Sequence, residues 1–180
     1  MSAILLDSST VFISAKEQIL GGNIPVFVFP LRMVVAHLLV FVHHLMVLVV
    51  VYVVWPHYLT WQLPLALVGV LLIAIAGVLF ALVAGLIAAR YRDVVSLLAS
   101  VVSVVFFVTP VLWPVSMLGD RIYLATFNPL YYFLEVVRAP LLGKPVAENA
   151  YLVCFGSIVV LALFVLAAVN RIRTRLAFYL

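Results

Sequence analysis

LIAARYRDVVSLL, residues 86–98, sets Arg90, Arg92 and Asp93 between two long apolar runs that contain no Lys, Arg, Asp or Glu. A single charge at the middle of a bilayer costs about 3 kcal/mol, whereas the same charge at the water boundary costs little. Two greasy runs joined through RYRD therefore read as an antiparallel helical hairpin with its turn at a membrane surface. The rest of the chain supports that solvent. Of 180 residues, 68% are hydrophobic and only 9% are charged, where a soluble domain carries about 25% charged residues. A chain of this length has too little interior to hide so much apolar surface from water.

The net charge of +4 does not indicate nucleic acid, because the ten Lys and Arg sit at the ends of apolar runs instead of on one polar face. Cys154 is the only cysteine, which excludes an intrachain disulfide and a zinc–cysteine cluster. The opening MSAILLDSSTVF lacks the basic start and long apolar core of a signal peptide.

Four runs approach the roughly 20 residues that a spanning helix needs. They cover 31–54, 63–89, 94–115 and 151–169. Backbone groups in hydrocarbon must bond within their own segment, and no alternating polar pattern suggests a barrel, so each run is expected to be a helix. The fold class is an all-α polytopic helix bundle of about four transmembrane helices with short amphipathic or re-entrant helices. Residues 1–30 form a separate cytoplasmic segment and 31–180 the membrane domain.

Basic residues set the orientation. Lys16, Arg32, Arg90, Arg92, Arg171, Arg173 and Arg175 fall on one side, whereas Arg121, Arg138 and Lys144 on the other are balanced by Asp120, Glu135 and Glu148. Both termini and the RYRD turn are then cytoplasmic.

Within the spans, Gly77, Ala81, Gly85 and Ala89 recur every four residues and let another helix approach closely. His37 and His44 share a helical face but lie about 10 Å apart along the axis. With no acid nearby in sequence, they are read as imidazoles bonded in the bundle or facing a wet cavity, and no metal site is expected. The third span ends VFFVTPVLWPVSML, where Pro110 and Pro114 each remove a helix donor and should kink or break the helix. Phe106, Phe107 and Trp113 around that break suit an interfacial aromatic belt, or the lining of an exit path.

In NPLYYFLEVVRAPLLG, Asn128 is a favourable N-cap and Pro129 a favourable first residue. Leu130, Phe133, Leu134 and Val137 then share a face, Glu135 and Arg138 are spaced to pair, and Pro140 is placed to end the helix. This predicts an external amphipathic helix over about 128–143. On the other side, Val11 to Leu20 puts Val11, Ala15 and Ile19 on one face and turns Lys16 and Glu17 elsewhere. That segment is expected to rest on lipid or to dock a soluble partner.

Absences narrow the function. No G-x-x-x-x-G-K-[ST] run cradles phosphate, no spanning run holds Asp or Glu as an ion-coupled carrier would, and no catalytic constellation is present. An enzyme is not expected, nor a cofactor.

Three stretches, AKEQILGGNIPVFVFPLRMV, RYRDVVSLLASVVSVVFFVTPVLWP and FNPLYYFLEVVRAPLLG, together resemble the membrane permease of ATP-binding cassette (ABC) type-2 exporters, in the branch that exports O-antigen, capsule or teichoic-acid polysaccharide. The resemblance covers nearly the whole chain. It departs from the usual six spans, since the N-terminal helix and first two spans are replaced by MSAILLDSS, as in a truncated or degenerate copy. The resemblance implies a bacterial inner-membrane homodimer that moves a lipid-linked glycan, driven by separate ABC ATPase subunits. These would dock around Val11, Ala15, Lys16, Glu17 and Ile19. It also implies a cargo path along Phe106, Phe107, Pro110, Trp113, Tyr131 and Tyr132, since aromatic rings suit sugar C–H faces. Arg90, Arg92 and Asp93 would anchor the turn or meet anionic lipid or pyrophosphate. An ABC type-2 exporter of drugs or small lipids, or an inactive membrane scaffold, is the alternative.

Overall fold

A computed structural model of the protein describes residues 1–22, 24–56, 60–110 and 126–172. Three short helices open the chain, α1 (Ser2–Ser8), α2 (Val11–Ser14) and α3 (Lys16–Gly21). The longer helices follow: α4 (Val28–His44), α5 (Met46–Val54), α6 (Leu65–Arg90), α7 (Asp93–Val108), α8 (Pro129–Leu141) and α9 (Glu148–Ile172). No strand occurs among the described residues.

Three helical stretches are long and apolar enough to cross a membrane: Val28–Val54, Leu65–Arg90 and Glu148–Ala168. The first joins α4 to α5 through Leu45, where the bonds tighten to Leu45 N→Val42 O and Leu48 N→Leu45 O. The third expected span is represented by α7, whose 16 residues measure about 24 Å against a hydrocarbon core of about 30 Å. It stops before Thr109 and Pro110, and the expected last residues of that span, 111–115, lie outside the described residues.

The N-terminal segment is more broken than expected. Ser14 Oγ donates to the carbonyls of Thr10 and Val11, and Ala15 leaves helical geometry at φ −95°, ψ 10°. Hydroxyls that bond back to the chain compete with the helical ladder, so the predicted single helix over Val11–Leu20 divides into α2 and α3.

The chain forms two compact units. One comprises Met1–Leu38, Ala74–Val104 and Ile158–Leu180, the other Leu39–Ile73 and Val105–Ser157. In the first, α2 and α3 lie on the second half of α6. Val11, Phe12, Ala15, Phe29, Leu82, Leu86 and Ala89 make its core, with Val165 and Ala168 packed at the edge. The small-residue stripe explains this docking. A Cβ on Gly85 would lie 2.7 Å from Val11 Cγ1 and 2.8 Å from Phe12 Cδ2, and one on Gly77 would lie 3.0 Å from Ile4 Cγ2. Close van der Waals packing of this kind holds the segment on α6.

In the second unit α8 lies against the first turns of α6. Pro140 has no N–H to give the Val136 carbonyl, and Gly69 packs on that carbonyl so closely that a Cβ there would sit 2.6 Å from its oxygen. Tyr52 Oη donates to Leu141 O at 2.9 Å, tying α5 to the end of α8.

Candidate functional site

The RYRD turn is shorter than the sequence suggests. Only Tyr91 and Arg92 separate α6 from α7, and residues 90–93 are all exposed. Arg90 closes the last turn of α6 and Asp93 opens the first turn of α7. Each charge therefore complements its helix dipole. The Arg90 guanidinium lies 5.2 Å from the Tyr91 ring centroid, within cation–π reach.

The expected docking residues divide by burial. Val11 and Ala15 are buried against α6 and Ile19 packs beside them, whereas Lys16 and Glu17 are exposed on α3. The apolar stripe holds the segment on the bundle, and Lys16 and Glu17 lie on its exposed side.

Of the cargo-path candidates, Phe106, Phe107, Pro110, Tyr131 and Tyr132 fall in the second unit, which also holds a polar junction between the end of α7 and α8. Asn128 caps α8 by accepting from Leu130 N at 3.0 Å through Oδ1, and its Nδ2 donates to Thr109 Oγ1 at 2.7 Å. Thr109 Oγ1 in turn donates to Val105 O. Arg138, on the last turn of α8, donates through Nη1 to Pro110 O at 3.2 Å. It does not pair with Glu135 as its spacing predicts, because the carbonyl beyond the end of α7 lies within its reach. Phe106 and Phe107 meet edge to face at 5.9 Å, as do Tyr131 and Tyr132 at 5.3 Å. Phe107 is 74% exposed. Burial, helped by Glu135 and Tyr132 and opposed by Arg138, pushes the Tyr131 phenol above its ordinary pKa. No ring contact joins the two aromatic pairs among the described residues, and Trp113 lies outside them.

Helix α8 buries Phe133, Val136, Val137, Ala139 and Pro140, whereas Leu130 and Leu134 of the expected apolar face are only partly buried. Gly143, at φ 68°, ends it. Gly143 N bonds Pro140 O and Lys144 N bonds Ala139 O, the Schellman arrangement that favours glycine. Pro140 sits within the last turn instead of terminating the helix.

The histidines find separate partners. His37 Nε2–H donates to Asp7 Oδ2 at 2.8 Å, an acid thirty residues away that sequence reading passed over. Its signal was a lone carboxylate in an otherwise uncharged opening. His44 Nδ1–H donates to Val40 O at 2.8 Å, and His43 meets the His44 ring edge on. No group of three metal-ligating side chains occurs among the described residues.

Residues 24–142, well over half of the chain, match the family model described as ABC-2 type transporter. No curated protein is similar enough to the chain to count as a relative.

Proposed function

The chain belongs to the ABC-2 type transporter family, and we propose that it is the permease subunit of an ATP-driven exporter that moves lipid-linked polysaccharide across the bacterial inner membrane. The observation that carries the proposal is the family match over 24–142, joined with three helical stretches of spanning length. A multi-pass membrane component of this family works with an ABC ATPase subunit, and the chain itself has no phosphate-cradling loop. ATP hydrolysis then belongs to the partner.

Two copies of the permease and two ATPases make the working unit, with both termini in the cytoplasm. The ATPase meets the exposed face of α3 at Lys16 and Glu17. Because Val11 and Ala15 are packed on α6 beside Leu82, Leu86 and Ala89, a push on α3 passes into that spanning helix. The polysaccharide cargo is supported by the paired rings of Phe106 with Phe107 and Tyr131 with Tyr132, which offer flat faces to sugar rings. Arg90 and Arg92 stand where an anionic headgroup or pyrophosphate would pass.

The test is co-purification with the ABC ATPases of the same organism, together with the surface glycan of a deletion strain. A complex that K16E/E17K weakens, and loss of the glycan on deletion, are expected. Absence of a complex with normal glycan sinks the proposal, and a complex with normal glycan moves the cargo to drugs or small lipids.

A further inference from the structure

The spanning stretch Val28–Val54 contains no acid, yet packing brings one to it from outside. His37 lies nine residues into that stretch, about 14 Å along the helix, near the middle of a hydrocarbon core of about 30 Å. Its Nε2–H donates to Asp7 Oδ2 at 2.8 Å, which sets the Asp7 carboxylate at the same depth. Ile4, one turn before Asp7, gives a second measure, since it packs on Gly77 at the centre of α6. The Asp7 side chain is 56% exposed there, and Oδ1 has no partner among the described residues. An ionisable group at that depth faces protein or a water-filled cavity, because lipid tails cannot solvate it.

The first unit offers water a way in. A cleft of about 440 Å³ runs between the N-terminal segment and α4. Asp7, Thr10, Ser14 and Gln18 line one wall, three to four residues apart and so on one side of the segment. Phe29, Arg32, Met33 and Ala36 line the other at the same spacing along α4. Ala15 and Phe29 share a core with Leu86 and Ala89, so the Ser14–Gln18 end of the cleft lies beside the end of α6, at the membrane boundary. Polar side chains then continue inward to Asp7. The Thr10 and Ser14 hydroxyls donate to backbone carbonyls, which leaves their oxygen lone pairs free to accept. Arg32 lines the same cleft and makes no hydrogen bond or ion pair among the described residues. The two opposite charges therefore face one cleft without closing it.

We propose that this cleft is an aqueous inlet from the membrane surface and that its inner end, at Asp7 Oδ1, binds a small cation. Oδ1 keeps its lone pairs while Oδ2 is engaged by His37, and Thr10 adds a neutral acceptor on the same wall. A carboxylate at span depth attracts a cation more strongly than one at the surface, because the surrounding dielectric is lower. Arg32, about 7.5 Å nearer the start of α4 than His37, leaves the inner end to Asp7. The inlet depends on Val28–Val54 crossing the membrane and not on the exported cargo.

The experiment is thiol labelling of the full chain, in a C154A background, in phospholipid nanodiscs whose two faces are both open to reagent. Two membrane-impermeant methanethiosulfonates of opposite charge are used, the trimethylammonium MTSET and the sulfonate MTSES, each corrected for its rate with a free thiol. A36C lines the cleft, whereas V35C, at a residue 45% exposed, stands at the same depth off it. A thiol reacts as thiolate, which forms where water reaches it, so A36C should react at least about tenfold faster than V35C. MTSET should outpace MTSES several-fold at A36C, and D7N should erase that preference while labelling persists. M33C, one turn nearer the mouth, repeats both comparisons if A36C does not fold. Cleft positions that stay unlabelled, or that react no faster than V35C, overturn the inlet. Equal corrected rates for the two reagents, or a preference that survives D7N, overturn the cation site.

Discussion

Arg138 reaches from the last turn of α8 to the carbonyl of Pro110, 3.2 Å from Nη1 to O, and so fastens α8 to the residues that follow α7. Pro110 is fully buried, and a hydrogen bond from a charged donor to such a carbonyl contributes about 1.5–3 kcal/mol. R138L should destabilise the detergent-solubilised protein by that order, read as a lower thermal midpoint, while R138K, which keeps a cationic donor, should recover part of it. A midpoint in R138L equal to the wild type would show that the bond carries no stability.

The bond between His37 and Asp7 is half exposed on the acid's side, at 23% and 56% side-chain exposure. Solvent screening therefore holds its coupling to about 1 kcal/mol. A double-mutant cycle of H37N and D7N should give a non-zero coupling of that order. Additive single effects would mean that the two side chains meet without holding the N-terminal segment.

Three glycines should respond differently to the same methyl group. G69A drives a Cβ into the Val136 backbone, G85A into the Val11 and Phe12 side chains, and at Gly156 nothing lies within 4 Å. Overpacking costs about 1–3 kcal/mol, and backbone yields less than side chains. Unfolding midpoints should rank G69A lowest, then G85A, with G156A at or slightly above wild type through its better helix propensity. A G69A protein as stable as G156A would contradict the close approach of α6 and α8.

R90Q/R92Q separates anchoring from export. If the two arginines set topology, cysteine labelling should show part of the population inverted. If they meet cargo, the protein inserts correctly and export falls. A variant with wild-type labelling and wild-type export removes both roles.

The spanning helices were legible because lipid makes hydrophobicity one-dimensional: twenty apolar residues in a row have one stable backbone form. Asn128 and Pro129 likewise announced the start of α8, since a cap works through bonds within its own turn. Arg138 misled, because i,i+3 spacing favours Glu135 while saying nothing of Pro110, whose position depends on where α7 stops. Val11, Ala15 and Ile19 read equally well as a face for lipid, for a partner or for the bundle, and periodicity cannot choose among these. Asp7 carried too little pattern to be singled out.

The sequence by itself determined the solvent, the helical class, the RYRD turn and the small-residue stripe, because each follows from composition or from contacts within a few residues. Only the tertiary structure decided that the stripe accepts the N-terminal segment, that Asp7 answers His37 and that Arg138 answers Pro110. Those pairings join groups from 28 to 74 residues apart, and no local energy term distinguishes the partner chosen from the others within reach until the helices are packed.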